Sequence, residues 1–296
     1  MSLNSKYTGE ASILAILMMI FGVAILLLNQ ISVKSRKSYT TVTGKSGQIS
    51  KFNLGRSGKY IIAIILIIIT FFTSIFPIVS FAFETFLPNP GDYSFLYTGD
   101  PDNLTTKWWV TNENITENGM YGQQGILYND MIWHAYKGTI MVSVCCALTA
   151  GTIGTLIGYA VSKNRRSRWA NYVNSVAFLP YLMPSIAVGV AFFILFSNKY
   201  VNLFNTYALL IIVGTVKYIP FASRSSLNSM LQLSGEIEEA AIIQDIPWTK
   251  RMTRIIIPIQ KTSIISGYLL PFMTCLRELS LFILLCVQGF ILSTTL

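Results

Sequence analysis

Charge is scarce in this chain. Asp, Glu, Lys and Arg supply 12% of the 296 residues while hydrophobic residues supply 52%. That balance excludes a soluble globular domain, in which about a quarter of residues are charged. Histidine is nearly missing: His134 stands alone, with Trp133 and Tyr136 as neighbours at the edge of an apolar segment. Such a setting fits an interfacial aromatic belt and offers no cage for a metal. The four cysteines, Cys145, Cys146, Cys275 and Cys286, all fall inside apolar stretches, where they act as small hydrophobes and form neither a disulfide framework nor a metal set. A Walker A loop is lacking too, because the glycine needed five positions before Gly44-Lys45-Ser46 is Tyr39. No nucleophile with its base lies in the apolar stretches, which argues against an intramembrane enzyme. Glu278 is the one carboxylate there, whereas an ion-coupled secondary transporter would more often carry several at its coupling site.

What the chain has in quantity is long hydrophobic runs. A bilayer asks for about 20 apolar residues per helix, and six segments qualify: 11–31, 60–83, 139–161, 172–197, 203–223 and 264–292. Segment 11–31 begins too late and is too long for a removable signal sequence, so it is expected to be a retained span. The fifth run is interrupted by Lys217 and Pro220, and Lys217 is expected to snorkel to the interface. The expectation is an all-α, polytopic membrane helix bundle with a lipid bilayer as its solvent.

The net charge of +9 is explained by placement, not by nucleic acid. Sixteen of the 22 Lys and Arg collect in three interruptions: Lys34 to Lys59, Lys163 to Arg168, and Arg224 to Lys261. The interruption 84–137 instead holds Glu84, Asp92, Asp100, Asp102, Glu113, Glu117 and Asp130 against only Lys107 and Lys137. The positive-inside rule then puts 32–59, 162–171 and 224–263 in the cytoplasm and 84–137 and 198–202 outside. Trp108, Trp109, Tyr93, Tyr97, Tyr121 and Tyr128 in the outer segment fit a docking surface for an external protein or a simple cap. Asn103-Leu104-Thr105 and Asn114-Ile115-Thr116 fit the glycosylation pattern, which has meaning only in a secretory eukaryotic context.

The 40-residue interruption 224–263 carries the most information. Glu239-Ala240-Ala241 is followed after three residues by Asp245, and after nine more by Ile255-Ile256-Ile257-Pro258. Leu227 to Ile243 is rich in helix formers, with Ser234 placed to cap an acidic first turn, Gly235 to Glu239. Ala240 and Ala241 give that helix a narrow face that a partner can approach closely. Asp245 stands at a joint where positive φ is wanted; glycine takes it freely and aspartate tolerates it. Pro247 suits the first turn of a second helix, whose Lys250, Arg251 and Arg254 are available to acidic groups on a partner, and Pro258 ends it.

This spacing, Glu-Ala-Ala, three residues, Gly, nine residues, Ile-x-Leu-Pro, resembles the loop that defines permease subunits of binding-protein-dependent ABC importers. The chain departs from it at Asp245, for glycine, and Ile257, for leucine. Tyr39 to Lys45 with Leu54-Gly55-Arg56, Leu179 to Pro184, Ile219-Pro220-Phe221-Ala222 and Leu276 to Ser280 are similar to segments of iron(III)-type two-unit permeases, and thiamine and polyamine permeases share much of the pattern. The resemblance covers most of the chain except 84–137. It implies the type I ABC importer permease fold in a bacterial cytoplasmic (inner) membrane. Glu239, Ala240, Ala241, Asp245, Pro247 and Pro258 would couple the bundle to a cytoplasmic ATPase subunit dimer, where ATP binds; this chain itself would hold no cofactor and do no covalent chemistry. It further implies an extracytoplasmic solute-binding protein and a second permease unit as partners. In that scheme 1–31 is the last helix of a preceding unit, 32–59 a cytoplasmic linker, and 60–296 a transmembrane domain lacking its last helix.

Within the spans, Gly151, Gly154 and Gly158 mark close helix packing. Pro180 and Pro184 either shape the bundle by a kink or free carbonyls that line a cavity. Arg277 and Glu278, adjacent in an apolar span and about 100° apart if helical, belong to the translocation pathway or to an ion pair with another helix.

Overall fold

A computed structural model describes residues 55–89, 104–115, 123–197 and 203–285, with scattered positions at 16–24, 91 and 93. Most of span 11–31 and of linker 32–59 lies outside the described residues, as do residues 286–292 of the last run. The chain divides into two compact units, Ser46–Trp133 and His134–Leu296 with Met1–Lys45.

In the first unit, α1 (Gly55–Thr70) continues through a π-turn at Phe71–Ile75 into α2 (Phe76–Glu84). The π-turn has a local cause. Pro77 has no N–H and its ring crowds the carbonyl four residues back, at Thr73 inside the turn, so the helix widens there instead of breaking. The 28 residues Ser57–Glu84 rise about 42 Å at 1.5 Å each, enough to cross the hydrocarbon core of about 30 Å. Large apolar side chains such as Ile67, Ile78 and Phe81 are exposed along it, as suits contact with lipid. The outer segment then folds over a small aromatic centre. Trp108 Nε1 donates to the buried Leu87 carbonyl at 2.8 Å, Phe86 stacks on Trp109, α3 (Lys107–Val110) turns between them, and Ile115 bridges Gln123.

The second unit is built on α4 (Asp130–Lys163), which begins at Asp130 and runs on from His134, and α7 (Tyr207–Met230). Their contacts rise together along both chains: Cys146 with Leu210 and Ile211, Thr149 with Thr215 at 2.5 Å, and Thr155 with Ser226 at 3.2 Å. The two helices are therefore parallel. Glycine sets their closeness, since a Cβ on Gly154 or Gly158 would lie 2.7 Å from the amide nitrogen of Ser223 or Leu227. Gly151 meets the Tyr268 ring of α11 (Lys261–Leu276) in the same way. The helix α11 runs antiparallel to α7, with Ser229 paired to Gln260 and Ser225 Oγ donating to the Ser263 carbonyl. The core gathers Val142, Cys146, Val188, Leu209, Val213, Tyr218, Leu281 and Phe282.

Three runs differ from the expected spans. Run 172–197 is two helices, α5 (Arg168–Leu182) and α6 (Ser185–Phe196), bent by 103°. The break falls at Met183-Pro184, both extended, because a residue before proline is pushed out of helical space; Pro180 sits inside α5 and does not break it. Run 203–223 is longer than expected: Thr206 caps α7 by accepting from Leu209 N, and the helix passes Lys217 and Pro220 to reach Met230. Run 264–292 stops early, since α11 ends at Leu276 and a short α12 (Phe282–Leu285) follows a non-helical step. Among the described residues, three helices are long and apolar enough to cross a membrane, or five if each bent pair counts as one span.

Candidate functional site

The loop between α7 and α11 folds as two short helices. Within the helix-forming stretch Leu227–Ile243, α7 ends at Met230 and α8 (Gly235–Ile243) starts after a turn, with Gly235 opening its acidic first turn as expected. Ser234 occupies the N-cap position, but its side chain makes no capping hydrogen bond; Glu236 and Glu238 in the first turn face the positive end of the dipole instead. The helix closes in a Schellman turn, with Asp245 N donating to Ile242 O at 2.9 Å and Ile246 N to Ala241 O at 3.1 Å. Asp245 takes φ 56°, the left-handed conformation read from its place in the motif.

Pro247 is the N-cap of α9 (Trp248–Arg251), one position before the first turn where it was expected. A π-turn, Met252–Ile256, follows and leads into α10 (Ile257–Ile259). Pro258 therefore does not end the helix. It lies within it, and the widened turn before it repeats the arrangement at Pro77, with the carbonyl four residues back at Arg254 inside the π-turn. The bend comes at Gln260, where α11 departs at 86°. There Gln260 Nε2 donates to the Ser229 carbonyl at 3.1 Å and the Ser229 hydroxyl donates back to Gln260 Oε1.

The loop is fastened to the bundle by Glu238, a residue sequence reasoning passed over. Glu238 is 4% exposed. Its Oε1 accepts from the Tyr159 hydroxyl at 2.5 Å, its Oε2 pairs with Lys163, and Arg251 Nε lies 3.9 Å away, close enough for charge but not for a hydrogen bond. Tyr159 and Lys163 belong to the last turns of α4, so the loop sits at the end of α4 that bears Lys163. Burial alone would raise the Glu238 carboxyl, but the hydrogen bonds from Lys163 and Tyr159 and the charges of Lys163 and Arg251 hold it below the usual glutamate range. Trp248 packs near the Tyr159 ring, and Met230, Met252, Ile256 and Ile264 close a small apolar core beneath. The available signal was positional: Glu238 shares a helix face with the small Ala241 three residues on.

The predicted residues divide between two faces. Ala240 and Ala241 do not form one narrow face: Ala241 is buried and Ala240 exposed, as a 100° step requires. Glu239, Asp245, Pro247, Lys250, Arg254 and Pro258 are exposed. Arg251 turns inward, donating to the Ile246 carbonyl at 3.0 Å, and is not free to meet a partner. The outward surface also carries Ile237, Ile242, Trp248 and Ile243, the last 85% exposed.

The other candidate residues meet at α7. Lys217 does not snorkel. It is 8% exposed and donates to the carbonyls of Pro180, at 3.0 Å, and Met183, the groups freed where α5 breaks before Pro184. Arg277 and Glu278 are not helical neighbours but lie in the step after α11, with Arg277 as the C-cap. Glu278 Oε2 accepts from Tyr218 Oη at 2.9 Å and its Oε1 from Leu281 N at 3.2 Å. Consecutive residues Lys217 and Tyr218 thus tie the break at Pro180–Pro184 and the break at Arg277–Glu278 to one turn of α7. The exposed Arg277 is not brought to that turn by any hydrogen bond or ion pair among the described residues.

Over 279 residues, 94% of this chain and 40% of the relative, the chain is 24% identical to ferric transport system permease protein FbpB 1 of Haemophilus influenzae. It is 22% identical over 278 residues to ferric transport system permease protein FbpB of Actinobacillus pleuropneumoniae, covering 94% of this chain and 37% of that one. It is 26% identical over 204 residues to putrescine transport system permease protein PotI of Escherichia coli K12, covering 66% and 68%. The chain spans about two fifths of the length of the two ferric relatives. Residues 150–296 match the family described as binding-protein-dependent transport system inner membrane component, so this all-α membrane protein belongs to the permeases of binding-protein-dependent ABC importers.

Proposed function

We propose that the chain forms the translocation pathway of an importer and that its loop 224–263 receives motion from a cytoplasmic ATPase subunit dimer, in a bacterial inner membrane with the basic loops inside. The observation that carries this reading is the two-sided loop. One face is locked to α4 through Glu238, while the other presents Ile237, Ile242, Ile243 and Trp248 uncovered. Exposed apolar side chains clustered on a short rigid helix mark a protein contact, and the ion-paired side supplies the strut along which a push would reach the spans. Glu239, Ala240 and Asp245 lie on the accessible side and would meet the partner; Ala241, Pro247 and Pro258 shape the helix pair. ATP and its hydrolysis belong to the partner, and no cofactor is assigned to this chain. A solute-binding protein would dock outside and a second permease unit beside the bundle. The domain scheme of a preceding helix in 1–31, a linker in 32–59 and a transmembrane domain in 60–296 is part of the same proposal.

For the cargo we propose ferric iron, supported by the ferric relatives that match 94% of the chain. A polyamine is the second reading, because the putrescine relative is matched over a larger share of its own length, 68%. The test is uptake in proteoliposomes holding the chain, its ATPase and its binding protein. Ile243→Asp and Glu239→Lys are expected to abolish ATP-driven ferric uptake while insertion and detergent stability stay unchanged. A cysteine at Ile243 should crosslink to the ATPase. Undiminished uptake with both variants, and no crosslink, would overturn the coupling role; uptake of putrescine instead of iron would overturn the cargo.

A further inference from the structure

Between α5, α7 and α11 lies an open cavity of about 420 Å³, the size of a small-molecule site. Its walls are mostly apolar and aromatic: Phe178, Tyr181, Pro220, Phe221 and Leu270. Tyr181 meets Phe221 edge-on, with ring centroids 5.4 Å apart. Among the described residues no carboxylate lines the cavity. One fixed cation does. Arg224 lies with its guanidinium carbon 4.5 Å from the centre of the Phe178 ring, half-buried, and among the described residues no oxygen accepts a hydrogen bond from it or pairs with its charge. A guanidinium keeps its proton in proteins, and stacking uses its face while leaving the edge N–H donors open. Ser225 is already committed, its hydroxyl donating to the Ser263 carbonyl at 2.9 Å.

An uncompensated guanidinium in an aromatic-walled cavity is complementary to a planar anionic group and repels a cation. We propose that this cavity binds an oxyanion, the carboxylate or phosphate group of a small solute, held edge-on by Arg224 with Tyr181 and Asn228 as neutral neighbours. The proposal rests on the reading of the chain as a permease and narrows its cargo. A polyamine is disfavoured at this point of the bundle, and a metal ion fits it only inside a complex that turns carboxylate or phosphate groups outward.

The test follows the rate at which butanedione modifies Arg224, read by peptide mass spectrometry, in the full chain purified in phospholipid-free detergent. Citrate or inorganic phosphate should slow modification about tenfold at about ten times its dissociation constant, since only unbound protein reacts. The exposed Arg165 should be unaffected, and putrescine should protect neither residue. In equilibrium dialysis, Arg224→Gln should lose citrate retention and Arg224→Lys should keep part of it, both with unchanged thermal unfolding. Protection by phosphatidylglycerol nanodiscs, but by neither soluble anion, would keep the oxyanion chemistry, place its source in the bilayer and overturn the inference about cargo. Equal protection by putrescine, or none by any anion, would overturn the site itself. The assay involves neither the ATPase nor transport, so its failure leaves the coupling reading untouched, and loss of coupling leaves this assay intact.

Discussion

The two bends of the second unit are held by different chemistry. At Met183-Pro184 the chain turns by 103° and a buried ammonium from α7 donates to the Pro180 and Met183 carbonyls. At Gln260 the turn is 86° and a neutral amide exchanges hydrogen bonds with Ser229, also on α7. Depth accounts for the contrast. The first break falls in the middle of an apolar run, where each unmet carbonyl costs about 1–3 kcal/mol. The second lies at the polar end of the bundle, beside loop residues that water can solvate. One helix thus carries both devices, with a charge where water is excluded and a neutral amide where it is available.

Removing each device separately tests that account. Lys217→Met should orphan two carbonyls at about 1–2 kcal/mol each, a loss of about 2–4 kcal/mol, seen as a lowered midpoint of thermal unfolding in detergent and as faster protease cleavage between α5 and α6. Gln260→Ala should cost about 1 kcal/mol, a typical net hydrogen bond, because water replaces the amide. Equal losses from the two variants would show that depth does not set the device.

A smaller and local effect is expected where the second bend delivers the loop. Glu238 has its folded carboxyl held below the ordinary value. Its contribution is therefore complete above the usual glutamate pKa of about 4.3 and disappears as pH falls through the lower folded value. Amide exchange in Gly235–Ile243, corrected for intrinsic rates, should accelerate on acidification below pH of about 4 while α4 and α7 stay protected. Glu238→Gln should show the faster exchange at neutral pH with no further acid step. Exchange of the α8 amides that is indifferent to both changes would remove the strut from the proposed mechanism.

How much of this was legible in the sequence depended on whether a signal was local. Hydropathy located the long runs, the glycines at 154 and 158 announced the tight α4 and α7 seam and Gly151 the contact with α11, and the spacing of Asp245 in its motif gave the left-handed joint. Each of these is decided within a few residues of chain. Lys217 was misread because snorkelling is the default for a lysine near a span end, and the alternative depended on carbonyls 34 and 37 residues away. Glu238 was passed over for a related reason, its Tyr159 partner being 79 residues distant. The breaks at Pro184 and Gln260 were half legible: proline marked the first, while nothing in the local composition distinguished Gln260.

The smallest expected effect concerns that joint. Asp245 holds φ 56° at the position that ends α8, where the two Schellman hydrogen bonds require the left-handed region. A side chain there costs about 1–2 kcal/mol for an ordinary residue and less for aspartate, whose short polar group bonds locally. Asp245→Gly should therefore stabilise the loop by about 0.5–1 kcal/mol, slowing amide exchange in Gly235–Ile243 without changing the midpoint of the bundle. Asp245→Val should do the reverse, since a β-branched side chain is strained at positive φ. If both substitutions left exchange unchanged, the joint would be flexible in solution, and α8 could not act as a rigid lever between the exposed isoleucines and Glu238.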